Sequence, residues 1–166
     1  TNRPRDVAEF TAGNADLTAR LCAAVQATGR HIPLILASSI QAELANPYGR
    51  SKRAAEQAVE QCSAQTGNPA VIYRLPNVFG KWCKPNYNSV VATFCHNIAN
   101  DLPIQVNDAS AQLKLVYVDD VVSAFVHALG NVGQGLQWGT VEPVYGIGLG
   151  DLAAQIEAFK NCRTSL

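Results

Sequence analysis

Residues 46–52 read Asn-Pro-Tyr-Gly-Arg-Ser-Lys, and they follow an apolar run at residues 31–37 that leads into two serines. The apolar run predicts a buried strand. The Asn-Pro pair predicts the start of a helix, because asparagine caps helices and proline fits their first turn. On that helix Tyr48 and Lys52 are four residues apart and share one face. The sequence therefore predicts a strand that brings two hydroxyl groups towards a helix carrying a tyrosine and a lysine.

This arrangement predicts proton transfer at an oxygen atom. A nearby ammonium group and the positive end of a helix both favour the phenolate, so we expect the pKa of Tyr48 to fall below its reference value of about 10. Such a tyrosine can exchange a proton with a carbinol oxygen, while a nearby serine steadies that oxygen. The Tyr-x-x-x-Lys spacing alone also occurs on ordinary surface helices. The preceding strand and the Asn-Pro entry are what favour a site.

Composition excludes several classes of protein. The chain has 166 residues, of which 48% are hydrophobic and 16% charged, so we expect a folded domain rather than a disordered one. Lysine and arginine together number 13, as do aspartate and glutamate. This balance leaves no basic excess for a nucleic acid or a membrane surface. Five cysteines without a C-x-x-C motif, and only three histidines, predict neither a disulfide framework nor a metal site.

Periodicity predicts an alternation of helices and strands. Helices are expected over about 14–28, 47–66, 89–100, 121–129 and 150–160, and strands at about 32–37, 70–75, 104–106, 113–118 and 141–147. The first ten residues and the stretch 130–139 are expected to be loops. Two successive helix–strand units with almost continuously apolar strands predict a parallel sheet covered on both faces.

Three other candidate sites are less specific. The glycines at positions 146, 148 and 150 depart from the dinucleotide fingerprint G-x-G-x-x-G, so we do not expect them to bind a phosphate. Asp119 and Asp120 precede an apolar helix, which favours helix capping over a metal site. Arg74, at the end of a predicted strand, could bind either an anion or a structural carboxylate, and the sequence does not choose between them.

Several segments, taken in order, resemble the extended short-chain dehydrogenase/reductase family. These are the two serines after the strand, the Tyr48-x-x-x-Lys52 motif, Arg-Leu-Pro-Asn-Val-Phe-Gly at 74–80 and Val-Tyr-Val-Asp-Asp-Val at 116–121. The resemblance implies a Rossmann-like α/β fold with a doubly wound parallel sheet, and enzymes that act on nucleotide sugars. Residues 80–89 are similar to one branch, the capsular polysaccharide enzymes that reduce a UDP-2-acetamido-2,6-dideoxyhexulose on the way to UDP-N-acetyl-L-fucosamine.

The resemblance also implies a role for individual residues. Tyr48 would protonate the C4 oxygen as hydride arrives from NADPH (or NADH), Lys52 would lower the pKa of Tyr48, and Ser39 or Ser38 would bond the carbonyl. The implied cofactor-binding residues are Asn2, Ser38, Tyr48, Lys52 and Leu75. The implied residues on the UDP-sugar side are Arg3, Asn77, Lys81, Asn86 and Asn88.

On the same resemblance, residues 1–166 would be the C-terminal portion of a reductase domain. The glycine-rich half and the cupin domain of that branch would lie outside the chain, and residues from about 80 onwards would bind the substrate. The isolated chain is then expected to be inactive, and the full-length protein to be a homodimer. Independently of the resemblance, the cysteine pattern favours a reducing cytoplasm as its compartment. Two alternatives remain. One is an epimerase or dehydratase of the same fold, although Glu43 is the single acidic residue between the serines and Tyr48. The other is a non-catalytic nucleotide-sugar-binding or interaction module.

Overall fold

A computed structural model describes residues 6–131 and 133–162 of the chain. The described residues form two compact units, each with its own sheet and core. The first unit comprises Thr1–Leu75 and Val121–Val141, and the second comprises Pro76–Asp120 and Glu142–Leu166.

Helices are interleaved with strands along the chain, as predicted, although twice two strands follow one another directly and the strand at 77–79 was not predicted. The elements are α1 (Ala8–Phe10), a π-helical segment (Thr11–Asp16), α2 (Leu17–Thr28), β1 (Leu34–Ser39), a 3-10 segment (Ile40–Glu43), α3 (Pro47–Thr66), β2 (Ala70–Leu75), β3 (Asn77–Phe79), α4 (Val90–Ala99), β4 (Gln112–Tyr117), α5 (Val118–Gly130), β5 (Leu136–Gly139), β6 (Val144–Gly148) and α6 (Leu149–Asn161).

The sheet of the first unit is parallel throughout, with strand order β1-β2-β5. Its central strand, β2, is covered on both faces. On one face Ile72 packs with Val59 and Cys62 of α3. On the other, the Tyr73 ring lies 4.9 Å from that of Phe125, measured between centroids. The predicted parallel sheet with two covered faces is therefore confirmed in this unit.

The second unit contains a smaller, mixed sheet. Strand β4 is parallel to β3 and antiparallel to β6. Helices α4 and α6 meet in an apolar cluster formed by Phe94, Ile98, Leu152, Ala153 and Ile156. The antiparallel pairing was not predicted, because periodicity within a strand does not reveal the direction of its neighbour.

Three local predictions were wrong. The stretch expected to be a loop contains β5, whose four residues pair with β2 but are too few to show a period. Residues 104–106 do not form a strand, although Ile104 and Val106 pack against the core of the second unit. The first helix begins at Ala8, inside the segment expected to be a loop.

Within the described ranges, no helix has the length and apolar character needed to cross a membrane. The same residues include no group of three or more histidine, cysteine, aspartate or glutamate side chains that could hold a metal ion. The five cysteines all lie within the described ranges, and none of them forms a disulfide there.

Candidate active site

The first turn of α3 is held close to the end of β1. The Asn46 side-chain oxygen accepts a hydrogen bond from the Gly49 amide at 2.7 Å, and Pro47 is the first helical residue, so the predicted helix start is confirmed. A Cβ atom on Gly49 would lie 2.2 Å from the carbonyl oxygen of Gln41 and 2.4 Å from that of Leu44. Only glycine therefore allows this turn to approach the 3-10 segment that follows β1.

Tyr48 and Lys52 lie together on α3. The Lys52 Nζ atom is 5.9 Å from the centroid of the Tyr48 ring. On the same unit, the Phe10 ring packs against Tyr48 with 5.6 Å between centroids. The pair that the spacing predicted is thus brought together, with an aromatic neighbour that the sequence did not indicate.

The predicted direction of the Tyr48 pKa was wrong. Burial raises the pKa of Tyr48, and a side-chain hydrogen bond with Ser39 offsets part of this rise. The physical reason is that removing the half-buried ring from water disfavours the phenolate. The Lys52 ammonium lies over the ring, 5.9 Å from its centroid, and donates to a backbone carbonyl.

Lys52 is anchored to the strand that precedes its helix. Its Nζ atom donates a hydrogen bond to the Ala37 carbonyl oxygen at 3.1 Å. Burial lowers the pKa of Lys52, and the negative charge of Glu56 acts in the opposite direction. An ammonium group has three donors and this bond uses one of them. Lys52 can therefore also donate to hydroxyl groups of a ligand such as a ribose.

Ser38 and Ser39 have different partners. The buried Ser38 hydroxyl donates to Glu56 Oε1 at 2.5 Å. The Ser39 Oγ atom accepts from the Gln41 amide at 3.2 Å, and Ser39 also interacts with the Tyr48 hydroxyl. Of the two serines that the sequence offered, the structure brings Ser39 to the tyrosine.

Sequence reasoning did not identify Glu56, whose side chain is fully buried. Its carboxylate accepts hydrogen bonds from Arg74 Nε at 2.9 Å and Nη2 at 2.7 Å, and from Arg53 Nη1 at 3.1 Å. Burial raises the pKa of Glu56. The hydrogen bonds from Arg74, Ser38 and Arg53 together lower it by more than burial raises it, so the net shift is downward. The sequence left open whether Arg74 binds an anion or a structural carboxylate. The structure shows it bound to a structural carboxylate, that of Glu56.

A signal for Glu56 was present in the sequence. The residue lies four positions after Lys52 and three before Val59, on the stripe that helical spacing assigns to the core. A carboxylate on a buried stripe requires a cation or several donors. Arg74, on the strand that follows the helix, was the available partner.

Leu75 lies beside Ser39, because the two residues are register partners at the carboxyl ends of β1 and β2. The Leu75 side chain is apolar and buried at this end of the sheet. Asn2 and Arg3, which the resemblance also nominated, lie outside the described residues. The first unit therefore places Leu75 beside Ser39, and Ser39 beside the Tyr48 hydroxyl.

The nominated residues of the second unit are all exposed. The Asn77 side chain donates to the Lys114 carbonyl oxygen at 3.2 Å, across the β3–β4 pair. The Lys81 Nζ atom forms an ion pair with Asp119 at 2.8 Å. Asp119 lies in the first turn of α5, so its carboxylate complements the helix dipole and also binds a lysine.

The loop after β3 carries Asn86 and Asn88. Asn86 has a positive φ of 54°, and its amide donates to the Thr93 hydroxyl oxygen of α4 at 2.9 Å. Trp82, in the same loop, has a φ of 68° and is 93% exposed. Asn88 is also exposed. The structure thus leaves the amide side chains of this loop facing solvent.

The glycines between β6 and α6 accommodate a neighbouring backbone segment. The Gly150 amide donates to the Ala109 carbonyl oxygen at 3.0 Å, and the Leu149 amide donates to that of Ala111 at 2.9 Å. A Cβ atom on Gly150 would meet the Ala109 Cβ at 3.0 Å. These amides are already bonded, so this helix start is not a phosphate cradle.

Known proteins resemble this chain in sequence and in structure. The NAD dependent epimerase/dehydratase family matches residues 2–142. A UDP-2-acetamido-2,6-beta-L-arabino-hexul-4-ose reductase from Pseudomonas aeruginosa is 53% identical over an alignment 166 positions long, which covers 99% of this chain and 44% of that protein. The capsular polysaccharide assembling protein CapF from Staphylococcus aureus has a TM-score of 0.81 at 40% identity, covering 89% of this chain and 41% of CapF.

A more distant structure bears on the fold. A UDP-glucose 4-epimerase from Thermotoga maritima has a TM-score of 0.83 at 22% identity, covering 95% of this chain and 56% of the epimerase. This similarity confirms the predicted Rossmann-like α/β fold. The chain spans less than half the length of the Pseudomonas reductase and of CapF. The family match extends over most of the chain and includes Ser39, Tyr48, Lys52 and Leu75. The chain belongs to the NAD dependent epimerase/dehydratase family.

Proposed function

We propose that this chain carries the proton-transfer residues of a nicotinamide-dependent reductase. The whole protein would reduce the 4-keto group of a UDP-2-acetamido-2,6-dideoxyhexulose during the synthesis of capsular or surface polysaccharide precursors. The observation that most supports this is Tyr48, which interacts with Ser39 and has Lys52 over its ring. The 53% identity to the Pseudomonas reductase supports the substrate class.

The raised pKa of Tyr48 suits a proton donor. A phenol whose pKa lies above its ordinary value stays protonated at neutral pH, so the proton is in place before reduction begins. Ser39 interacts with the same hydroxyl and would hold the carbonyl oxygen of the substrate beside it. Tyr48 would then give its proton to that oxygen as the C4 carbon is reduced.

A bound reduced nicotinamide would supply the hydride. The chemistry of the residues at the end of β1 fits the nicotinamide half of such a cofactor. Lys52 and Tyr48 offer donors to ribose hydroxyls, and Leu75 offers an apolar surface to the ring. Ser38 is a weaker candidate, because its hydroxyl already donates to Glu56. We propose NADPH as the cofactor, with NADH as the alternative.

The exposed donors of the second unit are proposed to bind the UDP-sugar. Asn77, Asn86 and Asn88 carry amide groups that can bond sugar hydroxyls or diphosphate oxygens. Lys81 would contribute a positive charge, although Asp119 already neutralises part of it. The substrate-binding part would accordingly begin at about residue 80 within a partial reductase domain. For the whole protein we propose a cytoplasmic homodimer.

The test uses a chimera in which this chain replaces the matched 166 residues of the Pseudomonas reductase. The chimera should oxidise NADPH when it is given the 4-keto sugar nucleotide. Tyr48→Phe keeps the ring and removes the proton, so we expect kcat to fall by about 10²–10⁴-fold with KM nearly unchanged. Tyr145→Phe, an exposed tyrosine of the second unit, is the matched control.

Each alternative function has its own outcome in this assay. Epimerised product without net consumption of NADPH would identify an epimerase. UDP-sugar binding without turnover would favour a non-catalytic binding module. Full activity of the Tyr48→Phe chimera would show that another group donates the proton.

A further inference from the structure

We propose that Glu56 is a positioning residue for the Tyr48–Lys52 pair: its buried carboxylate ties the end of β1 to α3 and supplies the negative charge that Lys52 faces. Its effect on turnover rests on the proposed reductase function. Its effect on Lys52 is a property of this chain and can be measured without turnover.

The first part of the proposal is mechanical. Glu56 Oε1 accepts from the Ser38 hydroxyl at 2.5 Å and from Arg74 Nε at 2.9 Å, and Oε2 accepts from Arg74 Nη2 at 2.7 Å. One side chain of α3 therefore holds adjacent strands β1 and β2 at their carboxyl ends. Ser39 directly follows Ser38, so the backbone that carries the Ser39 hydroxyl is fixed by the same carboxylate.

The second part is electrostatic, and it depends on how the neighbouring charges are shared. Arg74 also forms an ion pair with Glu43 at 2.7 Å, and Arg53 also forms one with Glu60 at 2.7 Å. Two guanidinium groups therefore serve three carboxylates. Neither Arg74 nor Arg53 is therefore paired with Glu56 alone, and of the three carboxylates it is Glu56 whose charge acts on Lys52.

Helix geometry places the Glu56 carboxylate on the face of α3 that carries Lys52. Tyr48, Lys52 and Glu56 are each four residues apart on α3, so they follow one another along a single helix face. Burial lowers the pKa of Lys52, and the charge of Glu56 opposes this effect. Glu56 consequently favours the charged form of Lys52, the form required to donate to a ligand and to lie as a cation over the Tyr48 ring.

The direct test measures the protonation of Lys52 in this chain. Its lysines are reductively methylated with ¹³C, which preserves their charge, and the Lys52 signal is identified by its loss in Lys52→Arg. We expect Glu56→Gln to lower the pKa of Lys52 and Glu56→Asp to lower it less, since aspartate keeps the charge. Glu60→Gln is the matched control: it removes a carboxylate from the same helix and the same Arg53, but is expected to leave the Lys52 pKa unchanged.

Glu56→Gln leaves the Arg74 guanidinium without its buried carboxylate, and the variant could fail to fold for that reason. A second variant addresses this case. Glu56→Gln combined with Arg74→Met removes both members of the buried pair, a change that proteins often tolerate. A fall in the Lys52 pKa is expected in this double variant too, but a smaller one, because losing the Arg74 charge acts in the opposite direction. An unchanged Lys52 pKa in every folded variant lacking the Glu56 carboxylate would overturn the proposal.

The effect on turnover is measured in the chimera. Glu56→Gln should lower kcat about tenfold with KM within about twofold, because the reacting groups are misplaced rather than lost. The alkaline limb of the pH–rate profile should also move to lower pH, since Lys52 loses its proton earlier. A purely structural glutamate would not move that limb. Inactivity of the unsubstituted chimera would count against the proposed function, whereas the Lys52 titration would still decide the role of Glu56.

Discussion

The two units present their polar groups in opposite ways. In the first unit the described candidate residues are buried or half-buried, and Ser38, Ser39, Lys52 and Glu56 all have hydrogen-bond partners within the protein. In the second unit the candidate residues are exposed, and the loop that carries two of them contains two non-glycine residues with positive φ.

This difference separates two kinds of function. Buried groups that are fixed by several bonds are preorganised and act in a low dielectric, which suits proton transfer. Exposed amide and ammonium groups are screened by water and salt, so each contributes modestly to binding. Substitutions in the first unit should therefore affect folding and kcat, while those in the second should mainly affect KM.

The largest effect is expected at Gly49. Gly49→Ala would place Cβ within 2.2 Å of the Gln41 carbonyl oxygen, a backbone atom that cannot move without shifting the 3-10 segment. We expect a loss of about 3 kcal/mol in the free energy of unfolding, measured by denaturant titration. The control is Gly146→Ala in the second unit, where a Cβ atom meets nothing within 4 Å. Equal stability of the two variants would contradict the close packing described for α3.

The next effect concerns acid stability. The pKa of Glu56 in the folded chain lies below its ordinary value of 4.5, so the unfolded chain binds more protons in the interval between the two values. The stability contributed by the ionised carboxylate is thus fully present above about pH 4.5 and is lost as the pH falls through the lower folded value. Glu56→Gln should cost about 3 kcal/mol at pH 7, as expected for breaking a buried pair, and less as the solution is acidified.

The matched variant in the second unit is Asp108→Asn. The pKa of Asp108 is lowered chiefly by the Ser110 hydroxyl, in an exposed turn. Its acid profile of unfolding, followed by circular dichroism, should resemble that of the unsubstituted chain. If Asp108→Asn changed the acid unfolding profile as much as Glu56→Gln does, buried and exposed carboxylates would contribute equally to acid stability, and the two units would not differ in this respect.

Substitutions at the N-caps of α3 and α4 compare the two units through smaller changes in stability. Asn46 caps α3 through a 2.7 Å bond, and Ser89 caps α4 through a 3.3 Å bond to the Ala92 amide. Asn46→Ala should cost about 1 kcal/mol and Ser89→Ala about 0.5 kcal/mol in thermal unfolding. Asn46→Ala should also lower kcat of the chimera, because the cap fixes the turn that carries Tyr48. If Ser89→Ala lowered kcat more than Asn46→Ala, the start of α4 rather than the start of α3 would be the helix end that affects turnover.

The smallest effect on stability is expected at Lys81. Lys81→Met keeps the length of the side chain and removes its charge, so we expect KM for the UDP-sugar to rise about threefold in the chimera, with kcat unchanged. The melting temperature should not change, because the pair with Asp119 is exposed to solvent. Lys84→Met, an exposed lysine of the same loop, is the control. A fall in kcat without a change in KM would place Lys81 in the chemistry rather than in binding.

Local signals in the sequence predicted the elements that carry the site. Asn46 and Pro47 marked the start of α3, and the apolar run before Ser38 marked β1. The same kind of signal failed for β5, because four residues reveal no period and the strand is defined by its pairing with β2. It also failed at residues 104–106, where apolar side chains pack into a core without a strand partner.

The protonation state of the site could not be predicted from spacing. The four-residue separation of Tyr48 and Lys52 suggested a lowered tyrosine pKa, but burial of the ring, which packs against Phe10 among others, raises it instead. Desolvation of a side chain depends on neighbours that are distant in sequence, and Phe10 precedes Tyr48 by 38 positions. Glu56 went unnoticed for the same reason, since its partners Ser38 and Arg74 lie on two different strands.

The sequence by itself determined the helix that carries Tyr48 and Lys52, the strand that ends in two serines and the α/β class, because caps, turns and hydrophobic periods act over a few residues. Only the tertiary structure decided which serine meets the tyrosine, which direction its pKa takes and which carboxylate faces the lysine. Those outcomes depend on burial and on contacts between strands and helices, and chain folding alone brings these elements together.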